Sequence, residues 1–140
     1  MQITSKFTIA IHIIVASDFF KESHLLTSNF LAESTGANPV IIRNIIGNLK
    51  KVGIINSTQG KRGLSLAKDL EEISFYDVYQ AVGAMGDEGL FHFHEKPNMA
   101  CPVGQNIHLM LDKRLQQVQE VMENELRQIK ISDVVNEVNF

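Results

Sequence analysis

Apolar residues along the chain follow helical spacing in several stretches and strand-like alternation in one. Residues 5–19 are apolar on nearly every side, which predicts a buried first helix. Between residues 39 and 51 the apolar residues instead form a single stripe, which predicts an amphipathic helix with one buried face. The members of this stripe are Ile42, Ile45, Ile46 and Leu49.

Capping and turn-forming residues between positions 27 and 39 predict a second short helix directly before the one that carries this stripe. Thr27 is suited to cap a helix that carries Phe30, Leu31 and Ala32, and residues 34–37 are the expected turn, in which Gly36 can adopt a positive φ. Asn38 is suited to cap the next helix, with Pro39 at its first position, where a missing N–H costs little. This order of signals predicts a helix-turn-helix.

Alternating residues directly after the second of these helices predict a β-hairpin. Residues 54–57 and 64–67 are its expected strands, and the basic, glycine-containing stretch 59–63 is its expected turn. A helix-turn-helix followed by such a hairpin is a winged helix-turn-helix. We therefore expect a mainly α fold with a small β-hairpin wing.

The second half of the chain predicts three more helices. Ser74 and Asp77 can form a capping box that begins a helix ending near Gly83, and Ser132 begins a final short helix. Between them, residues 86–104 show no period and contain two prolines. The predicted organisation is a winged-helix domain over residues 1–83, a regulatory loop over 84–104, and a dimerisation helix with a short C-terminal helix over 105–140.

The longest predicted helix covers residues 105–129. Its apolar residues recur at steps of three and four, the narrow stripe typical of a coiled-coil seam. At ~1.5 Å per residue this helix extends for roughly 37 Å, longer than a small domain can cover, which favours a two-fold dimer. Packing on the first helix of the same chain is the alternative. The residues assigned to the dimer interface are Ile107, Leu111, Leu115, Val118 and Met122.

Charge is distributed unevenly along the chain. The net charge is −3 at pH 7, yet residues 1–70 hold eight Lys and Arg against four Asp and Glu, and residues 71–140 hold five against twelve. This split is typical of a basic module that binds double-stranded DNA, joined to an acidic remainder. A single cysteine, Cys101, fits a reducing cytoplasm, and the apolar run 9–16 is too short to span a membrane.

The outer face of the helix over residues 39–51 has the chemistry of a groove-binding surface. Asn44 can pair with an adenine edge, Arg43 with guanine or phosphate, and Ile41 can pack on a thymine methyl. Thr27 and Ser28 are placed to hold phosphate through hydroxyl and backbone N–H groups. The remaining expected DNA contacts are Asn38, Val40 and Lys50 from the helix and Gln59, Lys61 and Arg62 from the hairpin turn.

Two other classes of function compete with DNA binding. An enzyme is disfavoured because no nucleophile–base pair, phosphate-binding loop or metal motif occurs at a recognised spacing. A winged helix that binds protein instead of DNA is disfavoured by the charge split and by the basic hairpin turn.

The blocks described above together resemble the Rrf2 family of bacterial winged-helix regulators. The resemblance covers nearly the whole chain. Its segments are residues 5–7, 31–34, 38–43, 49–55, 66–67, 73–82 and 101–104. It implies a homodimer that binds a palindromic operator and usually represses transcription, with the long helix forming the dimer.

The chain departs from the family pattern at the sensor. Cluster-binding members hold an iron–sulfur cluster on three cysteines before the long helix, whereas only Cys101 is present here, and Gly104 stands where some members have a histidine. One thiolate cannot hold the usual cluster, so no cofactor is expected. Cys101 is then either a redox sensor or a small structural residue. If it is structural, regulation is expected from a small-molecule or protein effector. A metal site that uses His92 and His94 is disfavoured because a closed zinc site needs four ligands.

Overall fold

The structure is a computed structural model that describes residues 4–22, 26–57, 63–83, 89–91 and 93–138. Those residues form helices around one antiparallel pair of strands, so the predicted mainly α fold with a hairpin is confirmed. In chain order the elements are α1 (Ser5–Phe19), α2 (Ser28–Thr35), α3 (Pro39–Lys51), β1 (Ile55–Ser57), β2 (Leu64–Leu66), a 3₁₀ turn (Leu70–Glu72), α4 (Phe75–Ala81), α5 (Pro102–Gln128) and α6 (Ile131–Val135).

One hydrophobic core holds the helix-turn-helix together. The predicted stripe of α3 is buried, with no exposed surface on Ile42, Ile45 or Leu49. These side chains join Ile13 of α1 and Leu31 of α2 in a single cluster. Burying one such side chain contributes about 1.5–3 kcal/mol, so this stripe fixes the orientation of α3 and leaves its opposite face to solvent.

The first helix is buried on one side only. Ala10, Ile13 and Ile14 are fully buried, whereas Ile11 and Val15 are half-buried. The expectation that α1 is a core helix therefore holds for one face. The other face leaves an apolar strip at the surface, next to α2.

The wing is a short hairpin joined to the residue before the α2 cap. Ile55 pairs with Leu66 and Ser57 with Leu64 in antiparallel register. Gly63 forms a parallel bridge with Leu26, and the N–H of Leu64 donates to the carbonyl of Leu26 at 3.3 Å. The wing and the helix-turn-helix are thus linked by backbone contacts.

The long helix α5 begins three residues earlier than the sequence predicts. Cys101 is its N-cap and Pro102 its first residue, and the N–H of Gln105 already donates to the carbonyl of Cys101 at 2.8 Å. Proline is tolerated at that position because the N–H it lacks would have no helical partner. The glycine and proline that suggested a loop therefore belong to the first turn of the helix.

The C-terminal helix α6 packs into the core of the winged helix. Ile131 is fully buried in the same cluster as the α3 stripe, and its N–H donates to the carbonyl of Ile73 at 2.9 Å. The N–H of Phe75 in turn donates to the carbonyl of Ile129 at 2.8 Å. These bonds anchor the end of α5 beside the start of α4.

Candidate nucleic-acid interface

Side-chain caps fix the two helices that would meet DNA. The hydroxyl of Thr27 accepts the N–H of Phe30 at 3.1 Å, and the side-chain carbonyl of Asn38 accepts the N–H of Val40 at 2.7 Å. Between the helices, Gly36 has a φ of 73° and donates its N–H to the carbonyl of Ala32. A residue with a side chain is strained in that conformation, so the glycine sets the turn. Each cap contributes about 1 kcal/mol.

The outer face of α3 is exposed and combines apolar and polar side chains. Val40 and Ile41 keep 54% and 40% of their surface exposed, although both are large and apolar. Arg43 and Asn44 are also exposed, and the side chain of neither bonds to another residue in the described part of the chain. Their donors and acceptors are therefore available to base edges or phosphate. Lys50 lies exposed in the last turn of the same helix.

The start of α2 presents a second set of groups next to α3. Thr27 is exposed at the cap and Ser28 is half-buried at the first helical position. The N-terminus of a helix carries unpaired N–H groups and a partial positive charge, which suit a phosphate. The structure thus brings Thr27, Ser28, Asn38, Val40, Ile41, Arg43, Asn44 and Lys50 into one helix-turn-helix unit, whereas Gln59, Lys61 and Arg62 lie outside the described residues.

Sequence reasoning missed the residue that positions the wing. Gly63 has a φ of +60°, and a Cβ atom there would collide with the carbonyl oxygen of Leu26. Only glycine fits this close approach of two backbones. The glycines of the turn are visible in the sequence, but they do not show which of them contacts another segment. The contacting residue, Leu26, lies 37 positions earlier, so no local pattern reveals the contact.

Cys101 lies at the N-cap of α5. The backbone N–H groups of Gly104 and then Val103 hold the pKa of the Cys101 thiol below its ordinary value. Gly104 also packs so closely on the carbonyl of Asn98 that a Cβ atom would collide with it. A histidine at position 104 would therefore require the segment around Asn98 to move.

Polar side chains connect the loop before α5 to α4, a feature that no local sequence pattern predicts. The N–H of Leu90 donates to the side chain of Gln119 at 3.0 Å, and Gln119 donates to Glu123 at 3.2 Å. The hydroxyl of Tyr79 donates to the same oxygen of Glu123 at 3.4 Å. Burial raises the pKa of Tyr79 to about 12, and the charge of Glu123 adds to the effect.

The predicted stripe on α5 divides between two environments. Met122 packs against the core of its own chain, together with Leu126. Leu111 and Val118 keep 36% and 50% of their surface exposed, and Ile107 and Leu115 are half-buried. Further exposed apolar residues extend the stripe on its solvent side. We define the exposed row of α5 as Val103, Met110, Leu111, Val118 and Val121.

Within the described residues, the helices are too short or too polar to cross a membrane.

A helix-turn-helix with an exposed outer face and a wing fixed at its base defines the class of winged-helix DNA-binding proteins. The Rrf2 family profile, described as an iron-dependent transcriptional regulator, matches residues 3–137. The chain belongs to this family. Family membership confirms the prediction of a DNA-binding transcriptional regulator rather than an enzyme.

Relatives and solved structures agree with this assignment. The chain is 41% identical over 134 residues to YwnA of Bacillus subtilis, named as an HTH-type transcriptional regulator, covering 96% of this chain and 97% of YwnA. A crystal structure described as that of a DNA-binding protein is 36% identical, with a TM-score of 0.72, covering 94% of this chain and 99% of that one. CymR of Staphylococcus aureus, at 17% identity and a TM-score of 0.68 over 98% of this chain and all of CymR, shares the fold.

The iron in the family description has no matching ligand set here. Cys101 is the single cysteine of the chain, and the described residues contain no group of three His, Cys, Asp or Glu able to hold a metal ion. His94 is exposed, and His92 lies outside the described residues. Since an iron–sulfur cluster requires several thiolate or imidazole ligands, the residues present do not fit one.

Proposed function

We propose that the protein acts in the cytoplasm as a homodimer that binds a palindromic operator and represses transcription by occupying it. The observation that carries this proposal is the outer face of α3, where Arg43 and Asn44 are exposed and unbonded beside exposed Val40 and Ile41. A helix with such a face enters the major groove, in which every base pair presents a distinct pattern of donors, acceptors and methyl groups.

Individual roles follow from the chemistry of each side chain. The amide of Asn44 is suited to the donor–acceptor edge of adenine, and Arg43 to guanine or a nearby phosphate. Ile41 offers a methyl-sized contact for thymine. Thr27 and Ser28 hold phosphate at the start of α2, while Lys61 and Arg62 of the wing add salt-sensitive affinity without selecting a sequence.

The exposed row of α5 is the proposed contact between the two copies. At 100° per residue its five members fall within about 100° of the helix circumference, on the side that α4 does not cover. A depression of about 320 Å³ lies along this row, lined by Arg114, Gln117, Val118 and Val121, and can receive a side chain of the partner. Of the five residues predicted for the seam, Leu111 and Val118 belong to this row, and the half-buried Ile107 falls within the same arc of the helix.

A two-fold dimer predicts the spacing of the operator. Symmetry-related copies of α3 must meet two successive turns on one side of the duplex, with half-sites about 34–36 Å apart. The experiment is to isolate genomic fragments that the full-length protein retains and to footprint them. Two protected half-sites at this spacing support the proposal. A protein that retains no fragment above a scrambled duplex contradicts it and favours the protein-binding alternative.

A further inference from the structure

One residue on the outer face of α3 has no side chain. Gly47 lies in the interior of the helix, between Asn44 one turn earlier and Lys51 one turn later. All three residues are exposed. At 100° per residue, position 47 points within about 30° of the direction opposite the buried stripe. The glycine therefore leaves a gap near the midline of the face that would meet DNA, and we call this gap the α3 notch.

The fold itself gives no reason for this glycine. A glycine in a helix interior lowers stability relative to alanine, because it loses more backbone freedom on folding. Gly63 and Gly104 each lie against a backbone carbonyl, whereas a Cβ atom built at Gly47 meets no other part of the described chain within 4 Å. Gly47 also lacks the positive φ of Gly36 and Gly53. Its cost to stability is thus not offset by a contact within the described chain.

The side chains around the α3 notch favour a phosphate strand as its occupant. The helix carries three basic residues, Arg43, Lys50 and Lys51, and no acidic one. Arg43 lies one turn before Gly47 and Lys51 one turn after it, so a cation flanks the notch on each side. All three basic residues are exposed. Phosphate oxygens are attracted to such cations, and phosphate contacts fix the register of a protein on the duplex.

The α3 notch lies where the helix has to come close to one strand of the duplex. Asn44 is suited to a base edge on the floor of the major groove, and Lys51 is suited to a phosphate on its wall. The helix backbone between these two contacts therefore passes beside the sugar–phosphate strand. A side chain at position 47 would hold the helix away from that strand, whereas glycine allows the close approach of a backbone to a ligand.

We propose that Gly47 is a positioning residue for DNA recognition, because its missing side chain lets the backbone of α3 lie against a sugar–phosphate strand of the operator. This inference rests on the proposed function. The notch sets the depth of α3 in the major groove, and Asn44 reaches its base edge only at this depth. Alanine at position 47 would make the helix more stable and its fit to the groove worse.

Two substitutions of graded size test the α3 notch in the full-length protein. In fluorescence anisotropy, Gly47→Ala should bind the retained genomic site at least about fivefold more weakly than the wild type, the lower limit for one lost base contact. Gly47→Leu should bind more weakly still. Alanine and leucine both have high helix propensities, so a further loss from alanine to leucine reports size rather than helix flexibility. Gln116→Leu adds the same side chain at an exposed position on α5 and should bind as the wild type does.

Chemical denaturation and sedimentation show whether the loss arises at the α3 notch. Gly47→Ala should unfold at a higher denaturant concentration than the wild type and should sediment as the wild type does. If Gly47→Ala is less stable, the glycine serves the fold, and if it sediments as a smaller species, the glycine serves a contact between two copies. Either result overturns the inference.

The same titrations separate this inference from the proposed function. If the wild type prefers the genomic site to a scrambled duplex and Gly47→Ala binds that site equally well, the inference is overturned and the proposed function stands. If the wild type binds the genomic site no better than the scrambled duplex, the proposed function is wrong and the inference is wrong with it.

Discussion

The substitution Val118→Glu should dissociate the proposed dimer. Val118 is 50% exposed in the single chain and belongs to the exposed row of α5. A two-fold contact through this row would bury it against the partner, and symmetry would bury it twice per dimer. A glutamate at this position would place two like-charged carboxylates, one from each copy, in the proposed interface.

The magnitude follows from the exposed fraction. Fully burying a valine side chain contributes about 1.5–3 kcal/mol, so covering the exposed half contributes about 1 kcal/mol per copy and about 2 kcal/mol per dimer. Desolvating two carboxylates without partners costs at least about 2 kcal/mol more. A total of about 4 kcal/mol or more weakens dimerisation by roughly a thousandfold.

Analytical ultracentrifugation measures this change directly, and Leu109→Glu is the matched control. Leu109 is 83% exposed on the same helix. It lies nine residues, or two and a half turns, before Val118 and is therefore on the opposite face. We expect Val118→Glu to sediment as a monomer and to lose operator affinity, and Leu109→Glu to remain dimeric. If Val118→Glu remains dimeric, or if Leu109→Glu is also monomeric, this location of the interface is refuted.

Three further substitutions test other parts of the structure. Gly63→Ala should lower the free energy of unfolding by more than about 1 kcal/mol, because Gly63 has a positive φ and lies against the backbone of Leu26. Its control Gly47→Ala changes a glycine in open space within α3 and should raise the free energy of unfolding by about 0.5–1 kcal/mol. Chemical denaturation compares the two variants, and equal effects would reject the backbone contact. The folded-state pKa of Tyr79 lies above its ordinary value of 10.0, so the protonated tyrosine stabilises the fold below about pH 10 and this effect is lost towards pH 12. In pH-dependent denaturation, Tyr79→Phe should therefore lose less stability between about pH 10 and 12 than the wild type. If Cys101 is the redox switch, Cys101→Ser should bind the operator normally and stop responding to peroxide in the anisotropy assay; identical responses of both proteins would make the cysteine structural.

Much of the fold was predictable because its signals are local. The caps at Thr27 and Asn38 and the capping box of Ser74 and Asp77 each depend on residues two or three positions apart, and all three form as predicted. The stripe of α3 is likewise a property of one helix. Such features can be identified without any knowledge of which other segments lie nearby.

Features that depend on distant segments were not predictable in the same way. The bridge from Leu26 to Gly63 spans 37 positions, and the contact from Tyr79 to Glu123 spans 44. The stripe of α5 gave the centre line of its apolar face. The stripe could not indicate which edge of this face packs against the chain's own core. In the structure Met122 packs against the core on one edge, and Val121 is exposed on the other.

The central claim is that the outer face of α3 reads DNA sequence, and paired anisotropy titrations test it most directly. The duplexes are the retained genomic site and a scrambled duplex of the same composition, and the proteins are the wild type and Asn44→Ala. Asn44 is exposed and unbonded, so its removal should leave the fold intact. We predict a loss of about 1–3 kcal/mol on the genomic site and almost none on the scrambled duplex. Equal losses on both duplexes, or no loss on either, would contradict the account.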